Sequence, residues 1–234
     1  MRQIILDTET TGLFVDQNHR IIEIGCIELI NRKFTGKHFH YYLNPERAID
    51  EGAQAIHGIT TDFLANKPLF AHIAQELMDF LSGAELVIHN APFDVGFINY
   101  ELKLLNQAWQ PLNEYCRIVD TLLMARQMHV GQRNNLDALC KRYSVDNSQR
   151  EYHGALLDAH LLGRVYLAMT GGQATLFTET ENVEIASQQQ SVLEITQQKH
   201  KRKLPIILAT EEELAAHELY LSHLAENGKC VWES

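Results

Sequence analysis

The stretch Ile4-Ile5-Leu6-Asp7-Thr8-Glu9-Thr10-Thr11-Gly12 places two carboxylates two residues apart, directly behind three large aliphatic side chains. The aliphatic run predicts a buried strand, and Gly12 predicts the turn that ends it. Side chains at i and i+2 of a strand share one face. Asp7 and Glu9 therefore emerge side by side from a core, where two uncompensated negative charges are costly to desolvate. Two readings of the pair stand. A divalent cation holds both acids, and hard oxygen ligands then favour Mg²⁺ or Mn²⁺. Alternatively one acid is salt-bridged and the other is solvated at a strand end.

The chain of 234 residues is long enough for one well-buried domain with a remainder, or for two small domains. No apolar run approaches the roughly 18 residues that span a bilayer, and no membrane partner is expected. The strand pattern starts at once, so no signal peptide is expected either. Cys26, Cys116, Cys140 and Cys230 show neither metal-ligand spacing nor a disulfide framework. They fit a reducing cytoplasm and small core roles. A net charge of −10 argues against a protein that grips nucleic acid by bulk electrostatics. A nuclease whose metals neutralise the substrate backbone locally remains compatible with it. Such an enzyme would bind DNA weakly alone and depend on a partner for delivery.

Further strands are predicted at Ile21–Ile30 and His38–Leu43, joined through 31–36, so the chain opens as an antiparallel meander. Phe70, Ile73, Leu77, Phe80 and Leu81 recur at helical spacing after Pro68. Leu86–His89 is a short strand. A helix follows from Pro92, with Phe93, Phe97, Leu104 and Leu105 as its expected inner face. Ile118-Val119 is a brief strand, and Asp120 reads as the cap of a helix over Thr121–Met128. Leu136, Leu139 and Tyr143 mark another helix. Leu156, Leu157, Leu161, Val165 and Leu167 mark a long last one, ended by Gly171-Gly172. Strands first, then alternating helices and strands, predict a mixed α/β layered domain over residues 1–172.

Two more acids stand at element junctions. Asp94, in Asn90-Ala91-Pro92-Phe93-Asp94, falls where a strand gives way to a helix. Alone it reads equally as a first-turn acid that complements the helix dipole. Asp158, in His153-Gly154-Ala155-Leu156-Leu157-Asp158, falls within a helix whose other face is apolar. Five helical steps turn about 500°, which would point His153 away from Asp158. Gly154 lets the helix break there, so His153 is either a loop residue that swings toward a site or a plain surface histidine.

Taken together, Asp-x-Glu, then Asp, then His-x4-Asp resembles the histidine branch of the DEDD exonuclease superfamily. The resemblance implies an RNase-H-like sheet flanked by helices, with acids that hold two divalent ions. It places Asp94 beside the other acids, assigns Asp7, Glu9, Asp94 and Asp158 as metal ligands, and makes His153 the general base. The match is closer still to the epsilon subunits of bacterial polymerase III. It runs through Ile56-His57-Gly58-Ile59-Thr60, Arg133-Asn134-Asn135-Leu136-Asp137-Ala138-Leu139-Cys140 and Tyr166-Leu167-Ala168-Met169-Thr170-Gly171-Gly172. It implies substrate contacts at Asp7, Glu9, His57 and Asp158. As a lone residue His57 is a turn histidine. That family also contacts substrate through an acid shortly before this histidine, and here Glu51-Gly52 leaves no clear counterpart.

Composition changes after Gly172. Residues 178–203 are rich in Thr, Glu and Gln and end in the basic cluster Lys199-His200-Lys201-Arg202-Lys203. They read as a flexible linker. Gln173-Ala174-Thr175-Leu176-Phe177 resembles the bacterial sliding-clamp-binding motif, with Gln173, Leu176 and Phe177 as its anchors. Residues 204–234 are too few for a core of their own and resemble the family's polymerase-binding tail, with Trp232 as an anchor. A capping box at Thr210 and Glu213 opens a helix there. The resemblance therefore implies a 3′–5′ proofreading exonuclease with DNA 3′ ends, the polymerase alpha subunit, the sliding clamp and a small theta-like subunit as partners. A free-standing RNA-trimming exonuclease and a non-enzymatic polymerase–clamp scaffold are the competing readings.

Overall fold

A computed structural model describes residues 1–105, 108–150, 152–171 and 210–226. The chain divides into two compact units, Met1–Thr180 and Glu181–Ser234. The first is built on a five-stranded mixed sheet of order β3-β2-β1-β4-β5. Its strands are β1 (Arg2–Thr10), β2 (Ile21–Ile30), β3 (Lys33–Tyr42), β4 (Glu85–Ile88) and β5 (Arg117–Asp120). The first three form the expected antiparallel meander, and β4 and β5 run parallel to β1.

Seven α-helices belong to this unit among the described residues: α1 (Glu51–His57), α2 (Thr61–Leu64), α3 (Phe70–Leu81), α4 (Ala91–Leu104), α5 (Thr121–Met128), α6 (Leu136–Arg142) and α7 (Ala155–Thr170). Strand alternation sorts the core into two layers. Ile4 and Leu6 pack with Leu77, Met78, Phe97 and Ile98 of α3 and α4. Ile5 and Val87 pack with Leu139 of α6 and with Leu162 and Val165 of α7. Asp7 and Glu9 continue the Ile5 face, so the acids lie on the side of the sheet that α7 covers. Asp120 caps α5 as expected, accepting from Leu122 N–H at 2.8 Å and Leu123 N–H at 3.2 Å. Cys26, Cys116 and Cys140 are buried and unpaired.

Three local expectations differ from the structure. First, the connection over 31–36 is instead a two-residue hairpin turn. Asn31 and Arg32 take φ of 50° and 66°, the left-handed geometry that matches strand twist, and β3 therefore starts five residues before His38. Second, α1 and α2 are too short for helical periodicity to show, and His57 is the last residue of α1 rather than a turn residue. Third, α4 buries Phe97, Ile98, Glu101 and Leu102, whereas Leu104 is exposed. The reason is a buried acid: Glu101 takes the partly exposed Arg20 in a fork at 2.8 and 2.7 Å and also accepts from Ile21 N–H. An acid on the inner face hides the true apolar stripe.

In the second unit the described element is α8 (Glu211–Glu226), opened by the expected capping box. Thr210 N–H donates to Glu213 Oε2 at 2.9 Å, and Glu213 N–H donates back to Thr210 Oγ1 at 3.3 Å. No described helix is long and apolar enough to cross a membrane.

Candidate active site

The central strand delivers the first two acids. Asp7 and Glu9 follow Leu6 out of the core and line a cleft of about 280 Å³. The same cleft takes in Asp94, His153, Asp158, His89, Asn135, Asp137 and Arg150.

Asp94 reaches the cleft from α4, which starts just past the C-terminal end of β4. Asn90 takes φ of 68° there and turns the chain sharply into the helix. Asp94 is 2% exposed, and its Oδ1 accepts the Thr8 hydroxyl at 2.7 Å. Thr8 lies between the two strand acids but faces the opposite layer, so this bond joins α4 to the acid-bearing strand.

Asp158 comes from the first turn of α7 and is 3% exposed. Its position depends on Gly25, which stands opposite Asp7 in the β1–β2 register. A Cβ at Gly25 would lie 2.3 Å from the Leu156 nitrogen and 2.4 Å from the Ala155 carbonyl carbon. The start of α7 thus rests on bare β2 backbone, beside the acids. Asp158 N–H bonds Gly154 carbonyl at 2.8 Å, so the helix begins where Gly154 breaks it. His153 stands outside the helix, and its backbone N–H is tied to Ile56 carbonyl of α1 at 3.2 Å. Its Nδ1 comes within 3.6 Å of Asp158 Oδ2. The helix break therefore returns His153 to the acid that a continuous helix would have turned it from.

The electrostatics of the cleft are those of crowded like charges. Burial, then the Asp94, Glu9 and Asp158 charges, push the Asp7 carboxyl well above its usual range. Burial and the Asp158 and Glu23 charges push Glu9 up to about 8. Burial pushes Asp94 up to about 7 against the lowering effect of the Thr8 bond. Burial and the neighbouring Arg150 charge lower His153, which favours the neutral imidazole. Glu9, His153 and Asp158 offer ligand atoms that all lie within 4.8 Å of one another. This donor set fits a hard divalent cation: oxygen ligands, excess negative charge, and open cleft for water and phosphate oxygens.

Two charged residues at the site escaped the sequence reading. Arg150 forks onto Asp158 at 2.6 Å through both Nε and Nη2. It also donates to Asp137 at 2.5 Å and lies 3.0 Å from His153 Nδ1. A lone arginine three residues before His153, among acids, was the available signal. Glu23 lies opposite Glu9 in the sheet, 2% exposed. Its Oε1 meets His40 Nε2 at 2.7 Å, while its Oε2 has no partner among the described residues. The alternating Ile21–Cys26 segment hid it as a strand acid.

His57 is 5% exposed and is not among the residues that line the cleft. Its Nδ1 accepts from Ile59 N–H at 3.0 Å, which leaves the proton on Nε2. That buried Nε2 has no partner among the described residues. Gln173, Leu176, Phe177, the 199–203 cluster and Trp232 lie outside the described residues.

Comparison with known proteins converges on one family. The exonuclease family model matches residues 4–166. The chain is 49% identical to DNA polymerase III subunit epsilon of Escherichia coli (strain K12), over 100% of this chain and 98% of that one. It is 50% identical to the same-named subunit of Pasteurella multocida (strain Pm70), over 99% and 93%. Among solved structures it resembles exonuclease X in complex with 5′ overhanging duplex DNA, with 24% identity and a TM-score of 0.57 over 72% of this chain and 91% of that one. It also resembles the nuclease domain of 3′hExo, a DEDDh family member bound to rAMP, with 18% identity and a TM-score of 0.61 over 72% and 90%. These structures share its five-stranded mixed sheet flanked by helices. The chain belongs to the exonuclease family and, within it, to the epsilon subunits of DNA polymerase III.

Proposed function

We propose that this chain is the proofreading 3′–5′ exonuclease subunit of a replicative DNA polymerase, and that it removes mispaired 3′-terminal nucleotides as 5′-monophosphates. The observation that carries the reading is the convergence of Asp7, Glu9, Asp94 and Asp158 on one cleft from β1, α4 and α7. In this reading the four acids hold two Mg²⁺ or Mn²⁺ ions. Bound there, two such ions supply an activated water and neutralise charge on the leaving 3′ oxygen.

The chain's own residues do the rest. His153, held neutral by burial and by Arg150, takes the proton of the attacking water. Its loop position and anchorage to Ile56 set it at the cleft mouth, next to Asp158. His57 contacts the terminal nucleotide in this reading, as the family resemblance implies; its Nδ1 accepts from Ile59 N–H. Asp7, Glu9 and Asp158 line the same cleft and would contact the terminal nucleotide in this reading. The site takes a single strand, so a frayed mispaired end enters more readily than a stacked one.

Residues 1–172 form the exonuclease domain, 173–203 carry the clamp motif and linker, and 204–234 form the polymerase-binding tail. Gln173, Leu176 and Phe177 dock on the sliding clamp, Trp232 on the alpha subunit, and a theta-like subunit can join the domain. The protein works at DNA 3′ ends in the cytoplasm. The test is digestion of matched and 3′-mismatched DNA duplexes with Mg²⁺ or Mn²⁺, with single-stranded RNA in parallel. Faster loss of mismatched ends supports the reading. Preference for RNA, or activity that survives replacement of Asp7, overturns it.

A further inference from the structure

We infer that Arg150 is a resident counter-ion that competes with divalent cations for Asp158 and hands that carboxylate over when a cation binds. The inference rests on the metal-dependent reading above. The Arg150 fork engages Asp158 Oδ1 through Nε and Oδ2 through Nη2, both at 2.6 Å. The side-on fork fills the inner lone pair of each carboxylate oxygen. A cation chelated by both oxygens, or held at either inner position, must displace it and meets its positive charge.

The surroundings fit an exchange rather than a permanent tie. The Arg150 side chain is only 6% exposed, and its remaining nitrogen already bonds Asp137 Oδ1 at 2.5 Å. Asp137 belongs to α6 and is half exposed at 52%, at the cleft edge. When it leaves Asp158, Arg150 keeps this second acid and stays at the cleft. The same guanidinium lies 3.0 Å from His153 Nδ1. Release of Asp158 therefore also changes what the imidazole faces. The arrangement offsets acidic crowding among Asp7, Glu9, Asp94 and Asp158, and it weakens cation binding in return.

The experiment is Mn²⁺ binding to the full chain, read by calorimetry and by the Mn²⁺-induced rise in melting temperature. Wild type, Arg150→Gln, Arg150→Lys and Asp158→Asn are compared. Arg150→Gln should bind Mn²⁺ about ten- to a hundredfold more tightly, since a charge-assisted competitor is gone. Arg150→Lys is decisive because it keeps the charge but cannot fork across both oxygens. It should bind about three- to tenfold more tightly than wild type, and it also covers the case in which Arg150→Gln fails to fold. If Arg150→Lys binds like wild type, long-range charge alone acts and the inference fails. Tight wild-type binding that Asp158→Asn abolishes upholds the metal site even in that event. If wild type binds no Mn²⁺, the metal reading and the inference fall together.

Discussion

The Thr8 hydroxyl donates to Asp94 Oδ1 at 2.7 Å and ties α4 to the strand that carries Asp7 and Glu9. The bond sets where α4 presents its acid relative to Asp7 and Glu9. Thr8→Val should leave a buried carboxylate oxygen unpaired, at a cost of about 1–3 kcal/mol. Exonuclease rate should fall with it, while Thr8→Ser restores both. Urea unfolding and single-turnover digestion measure the two effects. Equal stability of the Val variant would show that the bond does not hold Asp94.

Gly25 tests how Asp158 is placed. A methyl group there would collide with backbone at Ala155 and Leu156, not with a flexible side chain. Gly25→Ala should push the start of α7 off β2 and lower stability by about 1–3 kcal/mol. Activity should fall well beyond the loss of folded protein, because a shift near 1 Å at a catalytic acid can cost 10²-fold, by order of magnitude. Circular dichroism melts with active-site titration would separate the two losses.

The raised carboxyls predict a pH dependence with a definite sign. Glu9 moves from 4.5 to about 8 and Asp94 from 3.8 to about 7. Between the ordinary and the shifted values the folded state binds more protons than the unfolded chain. Stability with EDTA present should therefore fall as pH rises from about 4 to about 8. Asp7→Asn should flatten that fall, since its charge joins the same crowd. Mn²⁺ affinity should run the other way and rise with pH, with proton release on binding. Calorimetry in buffers of different ionisation enthalpy counts those protons. A pH-independent affinity would contradict the carboxylate cluster as the binding site.

His153→Ala should retain Mn²⁺ binding and lose about 10²–10⁴-fold in rate, the usual worth of a general base. Wild-type rate should climb as the imidazole loses its proton, on the acid side of the usual histidine value of 6.5. The variant should lack that limb. An unchanged pH profile would reassign the base.

How far the sequence reached depends on what each residue signals locally. Asp7 and Glu9 were legible because a strand's period of two puts both on one face. Asp94 was not, since nothing in its neighbourhood announces the Thr8 hydroxyl 86 positions away. Resemblance, not spacing, placed it in the site. The face of α4 misled for a related reason: Asp94 and Glu101 are seven residues apart, two helical turns on one side, and both are buried. Buried acids read as solvent face to any apolar count. The hairpin at Asn31-Arg32 was hidden because Arg at positive φ is not a turn signal. Arg150 gives no such signal, because an isolated arginine carries no period at all.

The last prediction separates chemistry from delivery. Every proposed catalytic residue precedes position 159, and the exonuclease family match ends at residue 166. Among the described residues, the last buried member of either core layer is Met169. Truncation after Gly172 should therefore leave a folded exonuclease with near wild-type activity on free DNA ends. It should lose binding to polymerase and to clamp. In the full chain, Leu176→Ala with Phe177→Ala should weaken only the clamp contact by removing its apolar anchors. Trp232→Ala should weaken only the polymerase contact. A polar linker between them lets each attachment act alone, and tethering raises the local concentration of exonuclease at the primer end. Surface-plasmon measurements with purified polymerase and clamp decide the matter. If residues 1–172 still bind polymerase at full affinity, the tail is not the tether and this division of labour is wrong.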